Sequence, residues 1–195
     1  MRKLLLQMQT SIDMFVGDDD GDTSWMKWHW NTDWTWSTEL QQYHIDTTAA
    51  ADCILLSDKM AEEGFIDHWG AMAKQTGNPE SAFARNITNA QKVIFGTSLK
   101  DARWENSTIA KGDLASVVHS LKQAPGKNLL AFGGARFASS LINADLVDEF
   151  HLIVNPTVLG SGLPIFSTIP SARDLTLVSA TPYPDEVVVL RYAKK

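Results

Sequence analysis

Cysteine is nearly absent from this chain. The one thiol, Cys53, excludes an internal disulfide and any multi-cysteine zinc or iron–sulfur centre, and it fits a reducing, cytoplasmic setting. Apolar runs long enough to cross a bilayer, about 20 residues, are missing too, so no transmembrane helix is expected. Met1-Arg2-Lys3 before Leu4-Leu5-Leu6 has the start of a signal peptide, but Gln7 and Gln9 interrupt the apolar stretch, which reads as a strand in a soluble protein. Positive charge is in deficit: 17 Lys and Arg against 23 Asp and Glu give a net charge of -6. That balance argues against nucleic acid or an anionic membrane surface as a partner. Metal-site spacing is lacking as well. His29, His44, His68, His119 and His151 form no H-E-x-x-H motif, and placing Gly21 at the sixth position of a calcium loop puts Val16 first, so Asp18, Asp19, Asp20 and Asp22 read as a solvated acidic turn. No metal is expected. There is no G-x-S-x-G elbow, Walker loop, internal repeat or low-complexity segment.

What is present suffices for one sizeable core. At 195 residues with 44% hydrophobic composition, residues 1–195 read as a single domain. Leu4, Leu6 and Met8 alternate with Leu5, Gln7 and Gln9 as a strand does. From Gly17 to Trp36 there is no period, only the acidic tract followed by Trp25, Trp28, Trp30, Trp34 and Trp36, so a long structured loop is expected. Ser37 can cap a helix to about Ala51, with Leu40, Tyr43, His44 and Thr47 on one face. Short apolar runs at Cys53–Leu56, Val93–Phe95 and Leu129–Phe132 read as buried strands. Helical patterns follow at 58–74 and 79–86, after Asp113 (with Leu114, Val117, Val118 and Leu121 as the apolar face), and after Gly134 (with Phe137, Leu141 and Ile142). Strand patterns at 149–156, 176–180 and 187–192, separated by glycine and proline, look antiparallel. The class is α/β: a mostly parallel mixed sheet flanked by helices, with antiparallel C-terminal strands.

Three local features carry chemistry. In Leu129-Leu130-Ala131-Phe132-Gly133-Gly134-Ala135-Arg136-Phe137, glycines end an apolar strand and open a helix, and bare N–H groups at the positive end of a helix suit a pyrophosphate. Glycines in such turns also serve geometry alone. Asp13, just past the first strand, can supply or orient a proton beside a heterocycle, or simply cap a turn. Trp25 and Trp28, nearest the acidic turn, can stack on a flat substrate or pack internally.

Taken in order, Ser11-Ile12-Asp13-Met14-Phe15-Val16, Ile54-Leu55-Leu56, Lys92-Val93-Ile94-Phe95, Gly133-Gly134-Ala135-Arg136-Phe137, Val147-Asp148-Glu149-Phe150-His151-Leu152 and Gly160-Ser161-Gly162-Leu163-Pro164-Ile165-Phe166 span essentially the whole chain. The sequence thereby resembles the C-terminal reductase domain of riboflavin-biosynthesis deaminase-reductases, whose stand-alone members have the dihydrofolate-reductase-like fold. The resemblance implies NADPH-dependent reduction of a small pterin-like or aminopyrimidine-like heterocycle, often by a homodimer. It places Asp13 at the substrate as the catalytic group, with Gly160 and Gly162 of the last motif near it; Trp25 and Trp28 remain the pocket candidates that the aromatic loop itself offers. It gives the pyrophosphate to Gly133, Gly134, Ala135, Arg136 and Phe137, and the rest of the dinucleotide to loops at Ser57, Asp58, Lys59 and Met60 and at Gly96 and Thr97.

Those two loops depart from the family pattern. Ser57-Asp58 stand where the family has glycine-arginine, and Gly96-Thr97 where it has a serine and a basic residue. Both cations that would favour a 2′-phosphate are missing, which points to weakened NADPH selectivity, NADH use, or loss of the cofactor. Lys59 and Lys100 are the available substitutes. Met14 replaces a usual glycine; if that position needs positive φ, methionine implies a shifted loop. The leading expectation is an NAD(P)H-dependent oxidoreductase. Its rivals are a non-catalytic protein holding a planar ligand such as a flavin or folate, and a structural dimer.

Overall fold

The computed structural model describes residues 1–29, 33–166, 169 and 171–195; Trp30 of the aromatic stretch lies outside the described residues. In chain order the elements are β1 (Leu4–Thr10), α1 (Thr38–Ala49), β2 (Ala51–Ser57), α2 (Asp58–Glu62), α3 (Phe65–Met72), α4 (Ser81–Asn89), β3 (Gln91–Phe95), β4 (Ser107–Ile109), α5 (Leu114–Gln123), β5 (Asn128–Ala131), α6 (Ala135–Asn143), β6 (Glu149–Val154), β7 (Leu175–Pro182) and β8 (Val188–Lys194). They fall into two compact units, Met1–Leu4 with Gln42–Ala131, and Leu5–Gln41 with Phe132–Lys195.

The first unit is a wholly parallel α/β layer with strand order β4-β3-β2-β5. Its central strands are short apolar runs because both faces are covered: Cys53, Ile54, Leu55, Leu56, Val93, Ile94, Leu129 and Leu130 are all buried. Each Leu or Ile buried this way contributes roughly 1.5–3 kcal/mol. Trp69 packs edge-on against Phe83 (4.6 Å), and His44 stacks on the same ring at 4.2 Å. Lys92 is buried as well; its stem fills the core while Nζ donates to the Thr88 and Ile87 carbonyls at the end of α4 (2.8 and 3.4 Å).

The second unit has strand order β1-β6-β8-β7, with β1 and β6 parallel and β8 and β7 antiparallel, as the glycine- and proline-spaced strand patterns imply. Helix α6 buries Ala138, Leu141 and Ile142. A buried polar row crosses the strands, where Glu149 accepts from His151 (3.0 Å) and from Arg191.

Several local expectations shift. The helical stretch over 58–74 breaks into α2 and α3 because Gly64 takes φ +97, a left-handed conformation that ends one helix and starts the next. On α5 the stripe Leu114, Val117, Val118 and Leu121 is only partly covered, Val118 and Lys122 being its buried residues, while Asp113 caps the helix by accepting from Ser116 N–H (2.9 Å). Strand β4 has no sequence signature; three residues at an edge hold their place through the β3 ladder alone. Among the described residues no helix is long and apolar enough to cross a membrane.

Candidate active site

Asp13 lies three residues past β1 in a turn organised by buried Ser11. The Ser11 N–H donates to the Phe15 carbonyl (2.9 Å), its hydroxyl oxygen accepts from Phe15 N–H (3.0 Å), and its hydroxyl donates to Asp13 Oδ1 (2.7 Å). Two backbone N–H groups complete the carboxylate's setting, Leu159 to Oδ1 (3.2 Å) and Gly160 to Oδ2 (2.7 Å). The Ser11 hydroxyl, then the Gly160 and Leu159 amides, outweigh desolvation and hold the Asp13 pKa down to about 2. A group so acidic is ionised at neutral pH, which leaves it the role of acceptor and orienter of a proton and removes that of donor. Both oxygens of the carboxylate are thereby engaged by donors, against the about four lone-pair sites it has. Met14 adopts φ +65, so a side-chain-bearing residue occupies the left-handed region at this turn. Methionine accepts a steric cost there that glycine would not.

The Gly133–Gly134 turn opens α6, and its two glycines do different work. Gly133 has φ +105 and is buried against Met8 of β1; a Cβ there would lie 2.5 Å from the Met8 sulfur. Gly134 is exposed, and a Cβ built on it would meet nothing within 4 Å among the described residues. Their peptide bond is cis. Gly134 is the N-cap of α6, no side chain caps the helix, and the first turn carries exposed Arg136 beside half-buried Ala135 and Phe137. First-turn N–H groups have no acceptor within their own helix, and the macrodipole adds partial positive charge there. Open space, bare backbone and a neighbouring guanidinium fit a diphosphate.

The loops after β2 and β3 are built differently. Ser57 caps α2 by accepting from Met60 N–H (3.2 Å), and Asp58 reaches across to the end of β3. Asp58 Oδ2 accepts from the Thr97 N–H (2.9 Å), the Ser98 N–H (3.0 Å) and the Ser98 hydroxyl (2.7 Å), while Oδ1 accepts from Lys59 N–H (2.8 Å). Burial opposes its charge, but the Ser98, Lys59 and Thr97 donors prevail and lower its pKa. The Lys59 ammonium is 3.5 Å from Glu63, and Lys100 is exposed. This pair of loops does not fit a 2′-phosphate.

The aromatic loop separates the two tryptophans. Trp28 is 4% exposed and packs on Trp36 (4.8 Å) and Trp34 (5.7 Å), so its faces are spent inside the protein; as a stacking platform for substrate it is corrected to a core residue. Trp25 stays partly exposed, its indole N–H donating to the Asp22 carbonyl (3.0 Å). Gly162 is accounted for by packing, since a Cβ there would lie 2.3 Å from the Gly17 carbonyl oxygen, whereas Gly160 supplies the amide that holds Asp13. In the acidic turn, Asp18 accepts from the Asp20 and Asp22 amides (3.0 and 2.8 Å).

Asn155 was not legible as a site residue. Fully buried after β6, it accepts from Lys27 N–H (2.9 Å) and donates to Gln9 (3.3 Å), whose own amide donates to the Trp28 carbonyl (2.7 Å). It thus ties the aromatic loop to the strand ends. The available signal was a polar residue following the apolar run Leu152-Ile153-Val154.

A model of the RibD C-terminal domain family matches residues 2–189. The Bacillus subtilis (strain 168) protein YyaP, itself uncharacterised, is 28% identical over 194 residues, covering 98% of this chain and 94% of its own. Among solved structures, a Thermotoga maritima diaminohydroxyphosphoribosylaminopyrimidine deaminase/5-amino-6-(5-phosphoribosylamino)uracil reductase superposes with TM-score 0.67 at 15% identity, over 100% of this chain and 57% of that one. Dihydrofolate reductase from Enterococcus faecalis, complexed with NADP(H), gives TM-score 0.59 at 13% identity over 99% and 96% of the two chains. Likenesses at these identities speak to the fold, which is dihydrofolate-reductase-like.

Proposed function

Because the chain belongs to the RibD C-terminal domain family, we propose that it is a nicotinamide-dinucleotide-dependent reductase of a small pterin-like or aminopyrimidine-like heterocycle. The observation that carries this reading is the Gly133–Gly134 turn: an uncapped helix start whose exposed glycine faces open space, beside Arg136. Those N–H groups would hold the diphosphate, and the bound dinucleotide would supply hydride.

The chain's own part is positioning. Asp13, ionised and held by the Ser11 hydroxyl and the Leu159 and Gly160 amides, would accept from an amino or ring N–H of the heterocycle. Accepting that hydrogen would orient the ring and favour its protonated form. Trp25, partly exposed, supplies an aromatic face on the same loop system. With a carboxylate this acidic, the proton that completes the reduction comes from elsewhere, water being the simplest source.

Asp13→Asn should abolish turnover while leaving the affinity for reduced dinucleotide within about twofold, since an amide keeps the shape but loses the charge-assisted acceptor. Unchanged turnover would remove Asp13 from the chemistry. A non-catalytic protein for a planar ligand is the second reading, favoured by the missing cations at Asp58 and Thr97. Oxidation of the dinucleotide in the presence of candidate heterocycles, followed at its nicotinamide absorbance, separates the two.

A further inference from the structure

The loop after β3 presents anion-binding donors that are already taken. Thr97 N–H, Ser98 N–H and the Ser98 hydroxyl converge on one oxygen of Asp58 at 2.9, 3.0 and 2.7 Å, the arrangement by which backbone nests hold phosphate oxygens. Gly96 makes this possible. It has φ +149, and a Cβ on it would fall 1.9 Å from the Asp58 carboxyl, so the carboxylate seats itself in the volume that any other residue would fill. Both residues stand at the C-terminal ends of adjacent parallel strands, β2 and β3, the edge where open α/β sheets receive nucleotides.

We propose that Asp58 stands in for an anion in this loop and thereby selects a dinucleotide with a free ribose 2′-hydroxyl, NADH, over its 2′-phosphorylated counterpart. The inference rests on the dinucleotide reading above and specifies which dinucleotide. A 2′-phosphate arriving here meets donors already engaged and a fixed negative charge, without a guanidinium to offset it. A 2′-hydroxyl meets an acceptor, because among the described residues Oδ1 receives one donor, Lys59 N–H at 2.8 Å, and keeps a lone pair for the hydroxyl. The seat requires glycine at position 96, since any Cβ there would overlap the Asp58 carboxylate.

The test is binding, read by calorimetry, and needs no substrate. The wild-type protein is titrated with NADH and NADPH, and with 5′-AMP and adenosine 2′,5′-bisphosphate, which carry the ribose end alone. The expected result is NADH and 5′-AMP binding about tenfold or more tighter than their 2′-phosphorylated partners. In Asp58→Ser, which releases the Thr97 and Ser98 donors, that preference should shrink by about tenfold or reverse. Circular dichroism and melting establish that the variant is folded, and the wild-type ratio stands independently of it. Equal or tighter binding of the 2′-phosphorylated ligands by wild type, or an unchanged ratio in Asp58→Ser, overturns the proposed selectivity while leaving a reductase. Binding of none of the four ligands overturns both.

Discussion

Met14 shows how a single residue can hold a site in place at a cost to stability. With φ +65 it occupies a region that L side chains avoid, and the turn it closes delivers Asp13 to the amides of Leu159 and Gly160. Met14→Gly should therefore stabilise the protein by about 0.5–1 kcal/mol with the Asp13 contacts intact, because glycine adopts that conformation without penalty. Chemical denaturation of the two proteins checks this, and a destabilised variant would mean that the Met14 side chain contributes more than its strain removes. The sequence flagged this position, but its positive φ is a property of the folded turn that the residue type alone does not announce. Asp58 is a similar case. Its acidity was legible, whereas its seat on Ser98, forty residues away, depends on two strands pairing and leaves no local trace.

Among the elements, those with a period or a cap were legible. The buried strands stand out as short apolar runs, and Asp113 before α5 and Ser37 before α1 announce their helices; Ser37 accepts from Leu40 N–H (3.4 Å), while its own amide is held by Asp185 (2.9 Å). Elements that depend on partners were not. β4 exists through its ladder with β3, and the aromatic loop has no period because side-chain clusters and Asn155 hold it. Asn155→Ala should accordingly cost about 2–4 kcal/mol, since it removes a buried hub and strands the polar groups it served. It should also raise hydrogen exchange within residues 25–29 selectively. A loss under about 0.5 kcal/mol would show that the tryptophan cluster anchors the loop without it.

For the molecule as a whole, acid is the expected weakness. His44 is buried against Phe83, and desolvation lowers its pKa from 6.5 to about 3; His151 falls to about 4, chiefly through burial and then through Arg191, with Glu149 opposing. Both bind protons more readily unfolded than folded, so stability declines as pH drops below about 6.5 and continues to fall toward pH 4 and 3. Urea midpoints measured between pH 7.5 and 4.5 should decrease steadily, and His44→Phe should flatten part of that slope. A slope unchanged by the substitution would place the acid sensitivity on other groups.

The account as a whole depends on the open backbone at the start of α6. Gly134 has φ -39, outside the left-handed region that favours glycine, and a Cβ there meets no atom of the described residues within 4 Å. Gly134→Val should therefore fold with a melting temperature within about 2 °C of wild type and yet lose reduced-dinucleotide affinity by at least about tenfold, because the branched side chain fills the space the diphosphate needs. The decisive measurement is that affinity, by calorimetry, in wild type and Gly134→Val side by side. Loss of binding in a folded variant is the expected result; equal affinity in the two proteins would contradict a diphosphate site at this turn.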